Sequence, residues 1–246
     1  MLKMKKGKVV LSVAFPFLLF SSLMLQAATI AVVPVRVEMD AGVRSATITL
    51  SNEGSTTTSI QADISEWSQD EDGKDVFSDT DDIIAVPGIF EIAAGGKQIV
   101  RIGLLSDVAG PVEKSYRVFL TEIAQAGEPM DGSGLRIRLR LSVPIFIRST
   151  EEASPLLKLV RADIEDDALA VVLHNEGNQH VQIRSLTIKS SAFDRQSDTV
   201  TKTSAYLLPG TARKFTLAVS PDTPPTSLVV DTDMIGAVGY EIPVPR

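Results

Sequence analysis

The chain has 246 residues, with 31 Asp and Glu against 24 Lys and Arg, two His and no Cys. Without Cys there is no disulfide framework, and a net charge of −7 favours neither nucleic acid nor an anionic lipid surface. The length allows two domains of ordinary size.

The N-terminus reads as a targeting segment. Lys3, Lys5, Lys6 and Lys8 form a basic region, and Val9 to Leu25 is almost wholly apolar before the small pair Ala27-Ala28. We expect residues 1–27 to be a secretory signal peptide. Leu25 stands where a small residue is preferred for that cut, and the competing reading is an uncleaved N-terminal anchor. Cleavage after Ala27 would remove four Lys and no acid, leaving 20 basic against 31 acidic residues and a net charge of −11.

Strand signals then follow one another at roughly ten-residue spacing. Residues 29–39 read as a first strand, in which Pro34 cannot donate to a ladder and marks an edge or a change of partner sheet. Residues 45–51 alternate and turn at Asn52-Glu53-Gly54. Residues 58–67 carry an inward row of Ile60, Ala62 and Ile64, and Trp67 is out of step with it by one residue. Trp67 therefore needs a bulge or bend near Glu66 to point into the core. The acidic stretch 68–80 lacks the first ligand and the bidentate Glu of a calcium loop, so it reads as a solvated hairpin turning at Asp72-Gly73. Residues 83–92 and 98–104 are further strands. Gly95-Gly96-Lys97 between them is no phosphate loop, because Gln98 stands where Ser or Thr is needed.

Residues 115–124 form a strand feeding a Gly- and Pro-containing loop, 125–134, and the chain returns through 134–148. In that return segment Leu135, Ile137, Leu139 and Leu141 alternate with Arg136, Arg138 and Arg140, which puts an apolar row on one face and a basic row on the other. From Val143 on it is nearly all apolar and reads as core. Such a strand is either an ordinary half-wet sandwich strand or an edge that lends its apolar row to another protein. The polar segment ending at Pro155 marks a boundary, giving domains 28–150 and 151–246. A second strand series follows over 157–164, 168–175, 181–190, 205–208, 214–219, 227–231 and 238–244. Asn175-Glu176-Gly177 echoes Asn52-Glu53-Gly54. The fold class is all-β, with two β-sandwiches in tandem.

Little chemistry accompanies this pattern. His174 and His180 flank one turn with no third ligand, so neither a metal site nor a His-assisted nucleophile is expected. No motif supports a nucleotide or another cofactor. We expect no enzyme and no catalytic residue.

Several segments together resemble the periplasmic chaperones of chaperone–usher pilus assembly. They are the strand Tyr116-Arg117-Val118-Phe119-Leu120-Thr121-Glu122-Ile123, the loop after it, and the run from Leu135 to Arg148. The order Trp67, Gln69, Gly73, Ile83-Ile84-Ala85-Val86-Pro87, Gln98-Ile99-Val100-Arg101 and Val143-Pro144-Ile145-Phe146-Ile147-Arg148 looks most like the archaic, spore-coat-U-like branch. The resemblance implies an L-shaped pair of immunoglobulin-like β-sandwich domains in the periplasm. Its partners would be pilus subunits, which are sandwiches lacking their last strand, and an outer-membrane usher that receives them. It implies no nucleic acid partner and no stable membrane insertion. Leu135, Ile137, Leu139 and Leu141 match the row donated to the subunit. The better-known branch holds the subunit's C-terminal carboxylate with an Arg on the first strand and a Lys on the last. Arg36 matches the former, while Pro144 replaces the Lys. Arg117, on the neighbouring strand, is the expected replacement cation. Glu122, Arg148 and Asp233 fall where the family carries interdomain ion pairs. The alternative function is an exported Ig-like structural or adhesive protein without chaperone activity. A divergent hydrolase is disfavoured, because no nucleophile–base pair is evident.

Overall fold

The structure is a computed structural model that describes residues 30–124, 138–165, 168–192, 195–219 and 223–242. The expected signal peptide lies outside the described residues, as do the whole 125–134 loop and both Leu135 and Ile137.

The first sandwich contains β1 (Ile30–Val33), β2 (Val37–Met39), β3 (Ser45–Asn52), β4 (Thr58–Gln69), β5 (Asp75–Ser78), β6 (Ile83–Val86), β7 (Ile89–Ile92), β8 (Lys97–Leu104), β9 (Lys114–Ile123) and β10 (Arg140–Ile147). One sheet runs β1-β3-β8-β6. The other runs β2-β10-β9-β4-β5, with β7 also pairing with β4. Pro34 separates β1 from β2, and each lies in a different sheet, so this proline marks a change of partner rather than a simple edge. Pro87 does the same between β6 and β7, splitting the segment 83–92 that alternation alone reads as one strand. Period-two rows then fill the space between the sheets: Ile48 and Leu50, Ile60 and Ala62, Val100 and Ile102, Val118 and Leu120, and Val143, Ile145 and Ile147. Each such Leu or Ile withdrawn from water stabilises the fold by about 1.5–3 kcal/mol.

The second sandwich contains β11 (Leu157–Glu165), β12 (Ala168–Asn175), β13 (Val181–Ala192), β14 (Arg195–Leu207), β15 (Ala212–Ala218), β16 (Pro225–Thr232) and β17 (Ala237–Glu241). Its sheets run β11-β12-β15 and β14-β13-β16-β17 around a separate apolar cluster that includes Leu173, Ile183, Leu207 and Val230. The first half of β14 is polar and Thr-rich, so it carries no apolar alternation, although it pairs with β13 as far as Arg195.

The Asn-Glu-Gly echo is one hydrogen-bonding device used twice. The buried Asn52 amide donates to the Ile92 and Thr56 carbonyls, and its side-chain oxygen accepts from the Gly54 amide. In the second sandwich Asn175 donates to the Leu207 and Gln179 carbonyls and accepts from Gly177. The backbones match as well, with Gly95 bonded to Asn52 and Gly210 to Asn175. A buried amide that satisfies two carbonyls this way pins a strand end to the facing turn.

Candidate functional site

Only the last three of the eight residues of β10 have a neighbour strand on each side. It pairs with β9 along its whole length, but with β2 only from Ile145 to Ile147, in parallel. Among the described residues, Arg140 to Pro144 therefore form an open sheet edge. The Glu122 amide donates to the Leu139 carbonyl, which makes 139, 141, 143 and their alternates the residues bonded to β9. The amide of Arg148 donates to Met39, so even-numbered residues face the β2 side. Arg140 and Ser142 thus turn N–H and C=O groups to the open edge, and Pro144 turns only a carbonyl. The side chains divide by the same parity. Leu141 packs against the first core, and Val143, Ile145 and Ile147 lie within it. Arg140, Ser142, Pro144 and Phe146 take the other face.

Arg117 lies on that other face, in register with Pro144 on one side and Ser65 on the other. Its guanidinium sits 3.9 Å above the Trp67 ring centroid and donates to the Ser142 hydroxyl at 3.1 Å. Its Nε is buried with no hydrogen-bond partner, and among the described residues no carboxylate reaches it. Burial pushes the guanidinium below its ordinary value, with Asp75 and Tyr206 opposing. A desolvated cation without a counter-ion gains most from a bound anion, and Arg offers a carboxylate two parallel N–H groups.

Arg36 is differently placed. Its Nε lies 2.9 Å from Glu38, and its Nη1 lies 2.6 Å from Asp233 of the second sandwich. Both of these carboxylate contacts of Arg36 are made within the chain, whereas Arg117 makes none among the described residues. The expected interdomain trio is also rearranged. Asp233 does bridge the sandwiches, but to Arg36. Arg148 pairs with Glu38 at 2.5 Å and Asp40 at 2.8 Å, both in its own sandwich. The cause is the parallel pairing of β10 with β2, which carries Arg148 past Met39 and beside these acids. Glu122 has no ion-pair partner among the described residues, and instead accepts the Leu139 amide.

Residues 29–151, half of the chain, match the family model described as pili and flagellar-assembly chaperone, PapD N-terminal domain. The chain belongs to the pilus-assembly chaperones. No curated protein matches it in sequence. Solved structures share its fold. One is the CsuC–CsuE chaperone–tip adhesin subunit pre-assembly complex from the archaic Csu pili of Acinetobacter baumannii, at 22% identity and TM-score 0.63, covering 87% of this chain and 98% of that one. The YadV chaperone aligns at 14% identity and TM-score 0.61, covering 87% and 99%. The SafA pilin–SafB chaperone complex of Salmonella enterica aligns at 16% identity and TM-score 0.59, covering 88% and 98%.

The chaperone's two sandwiches meet at a seam that alternation only hinted at. Trp67 is buried with no bulge in β4. Its register with β9 runs unbroken to Glu66 and with β5 from Glu66 onward. Trp67 faces away from its own core and packs with Phe146 of the same sandwich and with Leu208 and Tyr206 of the second. The Trp67 and Tyr206 rings meet edge-on at 5.5 Å, and Phe146 stacks on His180 at 3.6 Å. His180 Nδ1 lies 2.8 Å from Glu113, and both side chains are buried. Gln69 donates to the Tyr206 carbonyl and accepts from the Leu208 amide and the Thr211 hydroxyl. Gly73, at φ +74°, lies so close to Ala212 and Arg213 that a Cβ would meet the Ala212 carbonyl at 2.5 Å. Trp67, Gln69 and Gly73, which carried part of the family resemblance, thus all serve contact between the sandwiches. The out-of-step position of Trp67 was the signal for that second buried face. No sequence signal pointed to the Glu113–His180 pair, whose members are 67 residues apart.

Proposed function

We propose that this chaperone, in the periplasm after export, lends the edge of β10 to a pilus subunit and passes that subunit to an outer-membrane usher. The open edge from Arg140 to Pro144 carries the reading. An incomplete sandwich exposes a groove flanked by unpaired strands, and an added strand satisfies them through backbone hydrogen bonds. The apolar row of Leu135, Ile137, Leu139 and Leu141 would fill the groove's pockets. Leu141 would sit where the borrowed edge joins the chaperone's own core. Arg117 would hold the subunit's terminal carboxylate and so set the register of the added strand. The likeness to the CsuC complex, together with Pro144 in place of a Lys, supports an archaic-type chaperone.

Co-expression with a pilus subunit tests this. The subunit should be recovered from the periplasm as a soluble complex only when the chaperone is present. Arg117→Ala should lower the affinity of that complex roughly ten- to a hundredfold, the range expected for charge-assisted hydrogen bonds worth about 1.5–3 kcal/mol. A subunit that stays soluble without the chaperone would refute the chaperone role. Unchanged affinity in Arg117→Ala would remove Arg117 from the site.

A further inference from the structure

Ser142 joins the open edge of β10 to Arg117. Its hydroxyl oxygen accepts from Arg117 Nη1 at 3.1 Å, while the guanidinium carbon lies 3.9 Å above the Trp67 ring centroid. The indole sets the plane of the guanidinium, and Ser142 sets its direction within that plane. Neither partner carries a charge, so the cation is aimed before any partner arrives and is not neutralised. A hydroxyl that accepts one hydrogen bond still has its own proton to give. Among the described residues no acceptor takes the Ser142 proton, and the residue is exposed. The backbone adds a second constraint. Ser142 carries the last N–H of the open edge, because Pro144 has none and β2 pairs with β10 from Ile145 on.

We propose that Ser142 is a positioning residue for the subunit's terminal carboxylate, aiming Arg117 and donating its own hydroxyl proton to the anion. The proposal rests on the reading of Arg117 as the carboxylate anchor, and it adds a rule of register. A cargo strand laid along the edge finds no amide to pair with beyond Ser142. At that same place the guanidinium and the hydroxyl stand 3.1 Å apart, and one carboxylate can bridge them. The site therefore favours a strand that ends in a free carboxylate opposite Ser142 over one that continues past it. Pro144 has a role of its own in this arrangement, because it ends the ladder where the carboxylate is held.

The test uses Ser142→Ala, which removes the hydroxyl from an exposed side chain and leaves the backbone edge intact, and Ser142→Thr, which keeps a hydroxyl. Affinity of the chaperone is measured for a synthetic peptide copying the last strand of a pilus subunit, made with a free C-terminal carboxylate and as the carboxamide. We expect Ser142→Ala to weaken the carboxylate peptide about three- to tenfold and the carboxamide by less than twofold. Ser142→Thr should bind both as the parent does, and the free chaperone should melt alike in all three. Equal weakening of both peptides, no weakening, or a Thr variant as weak as the Ala variant overturns the role of Ser142. Arg117→Ala is measured in parallel. If it lowers the preference for the carboxylate while Ser142→Ala does not, only this inference fails. If the parent chaperone itself shows no preference for the carboxylate, the anchor reading fails with it.

Discussion

Ile137→Asp combined with Leu139→Asp abolishes recovery of a soluble chaperone–subunit complex, while the chaperone itself folds as before. Each of these side chains would contribute about 1.5–3 kcal/mol on entering a subunit pocket. At about 1.4 kcal/mol per tenfold, losing both lowers affinity at least a hundredfold, even before the cost of pushing two carboxylates into an apolar groove. The pair is chosen to spare the chaperone. Leu139 is half-buried and precedes the paired stretch, whereas Leu141 packs on the first core and would confound folding with binding. The measurement is the yield of periplasmic complex together with the melting temperature of the free variant. Normal complex yield from the folded double variant means that this row is not the one donated.

Trp67→Ala unfastens the two sandwiches. Truncating a buried Trp costs about 3–5 kcal/mol, and here the lost contacts include those across the seam with Tyr206 and Leu208. The variant also removes the surface beneath the Arg117 guanidinium. We expect a fall in thermal stability, a broader distribution of interdomain distances in small-angle scattering, and weaker subunit capture. Arg148→Ala is the contrasting control. Its partners Glu38 and Asp40 lie in its own sandwich and Arg148 is half-exposed, so its removal costs at most about 1 kcal/mol and leaves the domain angle unchanged. An Arg148 variant that opens the molecule while the Trp67 variant does not would reverse this assignment.

Period-two alternation was enough to place most strands, because a sandwich strand with one buried face has to alternate. It failed where the residues supply no contrast. Polar Thr-rich β14 and the short hairpin strand β5 pair through their backbones, and no apolar row announces them. Proline told more than a simple strand break. At Pro34 and Pro87 the chain changes sheets, because a residue without N–H is least costly where a ladder ends. The ion pairs were harder to read. Placing Arg148 requires knowing that β2 pairs in parallel with β10, a long-range contact that no local pattern encodes. Sequence alone did not tell which partner Glu122, Arg148 and Asp233 would each take. Trp67 teaches a related lesson. Its wrong parity looked like a defect needing a bulge, whereas it was evidence of burial on the opposite face.

In the proposed mechanism the vacant edge of β10 becomes an interior strand when cargo binds. Amide hydrogen exchange of the free chaperone and of its subunit complex tests this residue by residue. The amides of Leu141 and Val143 already face β9 and should be protected in both states. Those of Arg140 and Ser142 face the open edge, and they should exchange freely alone and slow at least a hundredfold in the complex. If Arg140 and Ser142 exchange equally fast in both states while protection appears elsewhere on the chaperone, the subunit does not pair with this edge.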